Sequence, residues 1–249
     1  MLPPPAPLRI AFVPGVTPGR WLRTWEQRVR GVPLEATQVP DADQLSVLYD
    51  GRADMCFVRL PVDRDDLSVI PLYLEDPVVV VAKEHPVAAY DEVAVTDLAD
   101  EHLLQDPDTV PEWRDVAAEV RDGTRADVPD WTAEEAIAVV ATDAGIVVVP
   151  KSVAWLHQRK DVASRPVTGV AGSRVGLAWL TRATDERIET FIGIVRGRTE
   201  RSSRAGDAPA PERKPAAKQQ RPKPARQAQR SRTAGKRTPR SGGGRRGRR

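Results

Sequence analysis

The chain has 249 residues, with 38 Lys and Arg against 35 Asp and Glu, long enough to bury a sizeable core in one or two domains. Its single cysteine, Cys56, excludes an intrachain disulfide and a cysteine-based zinc site. The start, MLPPPAPLRIAFVPG, lacks the basic and apolar runs of a signal peptide. No stretch reaches the about 20 apolar residues of a membrane span, so the expected location is the cytoplasm, with no membrane partner.

The near-neutral total hides an asymmetry. Residues 201–249 hold 17 of the 38 basic residues and only two acidic ones, Asp207 and Glu212. Residues 1–200 are left with 21 basic against 33 acidic, so an acidic body of net −12 carries a basic tail of net +15.

Residues 1–7 are proline-rich and read as flexible. LRIAFV (8–13) predicts a strand. Thr17 is a candidate N-cap with Pro18 at the first helical position, and Trp21, Leu22, Trp25 and Val29 follow at helical spacing up to Gly31. VPLEATQV is a second strand. Asp41 with Gln44 has the pattern of a capping box before a helix carrying Leu45, Leu48 and Tyr49. ADMCFVRL (53–60) is a third strand, and the β-α-β-α-β order implies parallel pairing. LSVIPLYLEDPVVVVAKEHPVA (67–88) predicts two successive strands with no helix between them. Thr109 and Glu112 have a capping-box pattern before WRDVAAEVRDG, RADVPDW predicts a strand, and Thr132 with Glu135 forms the clearest capping box, ahead of Ala136, Ile137 and Val140. ATDAGIVVVPKSVAWL (141–156) then passes from helix end through a brief apolar strand to a new helix at Pro150-Lys151-Ser152. A strand so short and apolar fits a sheet covered on both faces. VASRPVTG and SRVGLAWL are late strands, and Ile188, Phe191, Ile192 and Val195 give the last helix its core stripe.

In succession, LRIAFVPGVTPG, GVPLEATQVPDADQLSVLYDGRADMCFVRLP, LSVIPLYLEDPVVVVAKEHPVA, VTDLADEHLLQ, WTAEEAIAVVATDAGIVVVPKSVA and VGLAWL resemble the effector-binding domain of LysR-type transcriptional regulators over about residues 8–198. The resemblance implies an α/β chain with a type 2 periplasmic-binding-protein-like fold, two lobes with mainly parallel sheets around a cleft. Residues 8–82 plus 176–198 would form lobe 1 and residues 83–175 lobe 2, with crossings near Val79–Ala82 and Ser173–Ala178. Regulators of this family begin with a winged helix-turn-helix. Here the resemblance starts at Leu8, which leaves no residues for that module, and the basic tail lies outside the family pattern.

The resemblance also implies a ligand site on loops of both lobes: Val16, Thr17 and Arg59 from the first, and Gln105, Trp131, Thr132, Val149 and Lys151 from the second. Free N–H groups at helix starts, with Arg59, would favour an anionic effector such as a carboxylate. The plainer readings are that Thr17 and Thr132 cap helices, that Arg59 pairs with Asp63 or Asp66, and that Trp131 belongs to the core. Family members pair side by side, so a homodimer using the helix with Trp21 and Trp25 is expected. Glu134 and Glu135 fit a helix first turn better than an acid–base pair. His85, His102 and His157 are isolated, and no nucleophile elbow, P-loop or dinucleotide fingerprint is present. The expectation is therefore a non-enzymatic ligand sensor in transcription regulation, with neither cofactor nor metal.

From about residue 199 the chain holds no aromatic, Ile, Leu or Val and predicts disorder. Its basic residues, among them Arg213, Lys214, Arg230, Arg232, Lys236, Arg237, Arg245, Arg246, Arg248 and Arg249, would bind DNA or RNA phosphates without base readout. The alternatives are that the tail binds nucleic acid over a scaffold body, or that it merely solvates the chain or folds back on the acidic body.

Overall fold

A computed structural model describes residues 5–183 and 185–197. The basic tail and its ten named residues lie outside the described residues. In chain order the elements are β1 (Leu8–Phe12), α1 (Gly19–Arg28), β2 (Leu34–Gln38), α2 (Ser46–Tyr49), β3 (Met55–Leu60), β4 (Leu67–Glu75), β5 (Pro77–Ala82), β6 (Val93–Ala94), α3 (Pro111–Arg114), α4 (Ala118–Arg121), α5 (Ala133–Val140), β7 (Val147–Pro150), α6 (Lys151–Leu156), β8 (Val162–Thr168), β9 (Ser173–Leu180) and α7 (Glu186–Val195). Short 3-10 turns link them, including Asp41–Asp43.

Two sheets form two lobes. The first has the order β2-β1-β3-β9-β4 and the second β6-β8-β5-β7. The sheets are mixed, not mainly parallel. β1 runs parallel to β2 and β3, and β6 parallel to β8. β9 is antiparallel to both β3 and β4, and β5 to both β7 and β8. The cause is the direct passage between lobes: β4 runs into β5 through the single residue Asp76, and the chain returns through 169–172 into β9. The whole of β5 thus belongs to the second sheet, and the first crossing precedes the expected Val79–Ala82. The whole of β9 belongs to the first sheet, so the return is complete by Ser173.

The apolar runs read as doubly buried strands have that environment. In β5, Val79 and Val81 pack into one core with Trp113 and Leu98, while Val78 and Val80 pack into another with Ile137 and Val140. Successive side chains point to opposite faces, so covering both faces demands an unbroken valine run. In the first lobe, Trp21 and Trp25, one helical turn apart, both enter the core. Trp21 stacks on Phe57 at 5.0 Å, and Trp25 lies 6.0 Å from Phe191 of α7. The Trp25 indole donates to Val32 O at 3.1 Å, so its burial leaves no polar atom unanswered. Neither tryptophan of α1 is left for a partner chain.

Four local expectations differ from the structure. Asp41 and Gln44 form no capping box: α2 has Leu45 at its N-cap position without a side-chain cap, and Gln44 Oε1 accepts the Arg59 N–H at 2.8 Å. Thr17 makes no cap bond to α1, whose N-cap position is Pro18. Thr109 does not cap α3: its hydroxyl donates to Asp106 O at 2.6 Å, and Asp106 receives the Asp108 N–H at 2.9 Å. RADVPDW forms no strand, because Arg125 is drawn inward by acceptors and Pro129 has no N–H to offer a ladder.

Candidate functional site

The site is built where the lobes meet. Arg59, at the end of β3, donates from Nη1 to Glu75 Oε2 at 2.6 Å and from Nη2 to Pro14 O at 2.8 Å. Longer bonds of 3.3 Å reach Ser173 Oγ and Ser152 Oγ. Ser152, on α6 of the second lobe, also donates to Glu75 Oε2 at 2.9 Å. The side chains of Arg59 and Glu75 are only 14% and 11% exposed. Arg59 Nε lies 3.7 Å from Asp41 Oδ1 and, among the described residues, is the buried side-chain polar atom without a hydrogen-bond partner. Burial pushes the Asp41 carboxyl above its ordinary pKa, against the pull of Arg59.

The β1–α1 loop closes on the same place. Gly15 has φ +82°, and a Cβ there would stand 2.5 Å from Ser152 Oγ and 3.0 Å from Val153 N. Glycine is required both by the backbone conformation and by this approach. The first turn of α6 therefore meets protein, with Lys151 N–H donating to Asp76 O at 3.0 Å.

Open space lies beside this contact. A cavity of about 800 Å³ is lined by Asp41 from the first lobe and by Gln105, Asp106, Arg125, Trp131 and Val149, among others, from the second. A chamber of about 340 Å³ reaches Arg59 and Ser173, and another of about 520 Å³ reaches Thr132 and His157. All three share Asp41 and Ala133. Five of the eight expected site residues line these three cavities: Arg59, Gln105, Trp131, Thr132 and Val149. The other three do not line these three cavities. Val16 is buried in the first-lobe core, while Thr17 and Lys151 are exposed.

The polar groups of the lining are largely engaged. Gln105 accepts from Val148 N–H and donates to Thr109 Oγ1, each at 2.8 Å. Thr132 caps α5, and its N–H donates to Glu135 Oε2 at 2.9 Å in a reciprocal capping box. The Thr132 N–H and the Thr132 hydroxyl, which donates to the same oxygen at 2.8 Å, hold the Glu135 carboxyl below its ordinary pKa. Arg125 was not singled out by sequence. Its guanidinium donates to Glu119, to Leu103 O and Gln105 O at 2.8 Å each, and lies 5.5 Å over Trp113. It pins the cleft-lining 103–105 segment, and its only sequence signal was a lone arginine in a stretch read as strand.

Two α/β lobes joined by two short crossings around a cleft define a type 2 periplasmic-binding-protein-like protein, a class that holds small molecules between its lobes. The LysR substrate-binding domain model matches residues 3–200, and the chain belongs to that family. It is 28% identical over 206 residues, 76% of this chain, to a probable hydrogen peroxide-inducible genes activator of Mycobacterium avium, covering 64% of that protein. It is 31% identical over 180 residues, 68% of this chain, to a small neutral protease regulatory protein of Streptomyces coelicolor, covering 54%. The chain thus spans less than two thirds of these curated relatives. Its fold is similar to the BenM effector-binding domain solved with its effector benzoate, at TM-score 0.59 and 22% identity, over 78% of this chain and 95% of that one.

Proposed function

We propose that this chain is a non-enzymatic effector sensor of transcription regulation, working in the cytoplasm and binding a small molecule in the inter-lobe cavity. The observation that carries this is the cavity of about 800 Å³ lined by both lobes, within the size range of ligand pockets. Among the described residues no helix is long and apolar enough to cross a membrane. An anionic effector would need free helix N-termini and a free cation. Here Glu135 sets a carboxylate at the start of α5, bonded to Thr132, Asp76 O receives the Lys151 N–H of α6, and Arg59 is paired with Glu75. Thermal-shift screening tests the sensor reading: a ligand at 100 times its Kd adds about 2.7 kcal/mol of stability. Ala133→Trp, at a residue that lines all three cavities, should abolish that shift. A shift that survives this substitution would place the ligand elsewhere.

The sensor would act as a homodimer. With Trp21 and Trp25 buried, the exposed apolar candidates are Trp155 (70% exposed) and Leu156 (47%) on α6, with Leu74, Tyr90 and Tyr49 elsewhere on the described surface. Sedimentation should show a dimer that Trp155→Asp weakens.

The +15 charge of residues 201–249 supports a second reading, sequence-independent binding of DNA or RNA. Affinity should fall with salt at a slope of about −0.9 per phosphate neutralised on duplex DNA. A chain ending at Glu200 should lose it. Equal binding by the shortened chain would refute a role for the tail.

A further inference from the structure

Resting on the effector-sensor reading, we infer that the cleft selects an organic cation with an apolar body, an amine or guanidinium, and rejects the matching carboxylate. The large cavity is lined by the carboxylates of Asp41, Asp106, Asp127 and Asp130 and by a single cation, Arg125. Arg125 is already satisfied by Glu119 and two carbonyls. The smaller chamber adds only Arg59, which Glu75 neutralises, and the third adds Glu134 with His157 at 4.0 Å from it. Among the described residues, Asp106, Asp127 and Asp130 join no ion pair. A cleft lined by one sign of charge between low-dielectric walls concentrates its field on whatever enters.

The rest of the lining says what kind of cation fits. Val147, Val149, Ala136, Pro129 and Trp131 also line the cavity, an apolar share that suits an organic body. Among the described residues no three His, Cys, Asp or Glu side chains are grouped to hold a metal ion, so the carboxylates surround a volume and do not converge on a point. Arg59 Nε, 3.7 Å from Asp41 Oδ1, is buried without a hydrogen-bond partner, and Arg59 lines the smaller chamber. An unmet buried donor is costly, and a hydroxyl or carbonyl oxygen on the ligand would answer it.

Three probes of one skeleton isolate charge: tyramine (cation), tyrosol (neutral) and 4-hydroxyphenylacetate (anion). Titrated calorimetrically into the full chain at low salt, they should bind in that order, tyramine at least about tenfold tighter than the anion. Asp127→Asn/Asp130→Asn, at exposed positions where folding is not at stake, should weaken tyramine about tenfold and leave tyrosol unchanged. Tyramine binding unaffected by these substitutions would overturn the inference. So would 4-hydroxyphenylacetate binding as tightly as tyramine and lost on Ala133→Trp, an outcome that leaves the sensor reading intact. Silence of all three probes, and of spermidine and agmatine, would overturn the inference while leaving the sensor reading to the thermal-shift screen.

Discussion

Replacing Arg59 by methionine should be the costliest single change in the cleft. The substitution removes the 2.6 Å bond to Glu75 and the 2.8 Å bond to Pro14 O. Glu75, 11% exposed, keeps the Ser152 hydroxyl as its donor. Stranding one member of a buried ion pair costs about 3–5 kcal/mol. For a body of this size each kcal/mol moves Tm by about 2–4 °C, so a loss of about 6–20 °C is expected. The double variant Arg59→Met/Glu75→Leu removes the stranded charge and should recover most of that loss, since apolar replacement of a buried pair is often close to neutral. Urea unfolding of the four proteins of this cycle, followed by far-UV circular dichroism, yields the coupling directly. A single substitution costing under about 1 kcal/mol, or a double variant as unstable as the sum of its parts, would refute the placement of the pair in a desolvated seam between the lobes.

Thr132→Ala should cost about 1 kcal/mol through loss of the α5 cap, whereas Thr17→Ala, with no cap bond to lose, should stay within about 0.5 kcal/mol; equal effects in urea unfolding would contradict the two geometries. Burial, with the Asp41 charge adding to it, pushes the Cys56 thiol up to about 12. A chromogenic disulfide reagent at pH 8 should therefore leave the native protein untouched and titrate one thiol after unfolding, and rapid native labelling would refute its burial. Arg187 beside Asp185 holds that carboxyl below its ordinary value of 3.8. The stability this contributes is present above the unfolded-state pKa and lost as pH falls through the lower folded value. Wild type and Asp185→Asn should thus differ at neutral pH and converge in acid, and a constant gap across the acid limb would contradict the pairing.

Order and type of most elements were legible because their signals are local. The Thr132–Glu135 box is contained in four residues, and the α7 stripe in eight. Strand direction was not legible, since a run buried on both faces reads the same whichever way its neighbours point. The two lobes were legible from the succession of blocks, but the crossing at Asp76 was not, because Val78–Ala82 would suit either sheet. At the site, positions were read better than roles. Arg59 was singled out, yet its partners stand 16, 93 and 114 residues away, and no pattern in the chain announces them. Helix starts suggested an anion site, but whether a helix N-terminus is free depends on what folds against it. The carboxylates that set the charge of the cavity come from positions 41, 106, 127 and 130, and only the fold gathers them.

The place of β9 bears on how the chain is made. It lies between β3 and β4 in the first sheet, although over a hundred residues separate Leu60 from Ser173. During synthesis the first lobe therefore begins early and waits: β2-β1-β3 and β4 are present but lack the strand that joins them, and α7 comes later still. The second lobe, continuous from Pro77 to Thr168, holds its full set of strands before the first can close. The usual N-terminal-first order of maturation is inverted, and an emerging chain exposes an open sheet edge at β3 until its last strand arrives. A chaperone that shields extended edges would have its longest engagement there.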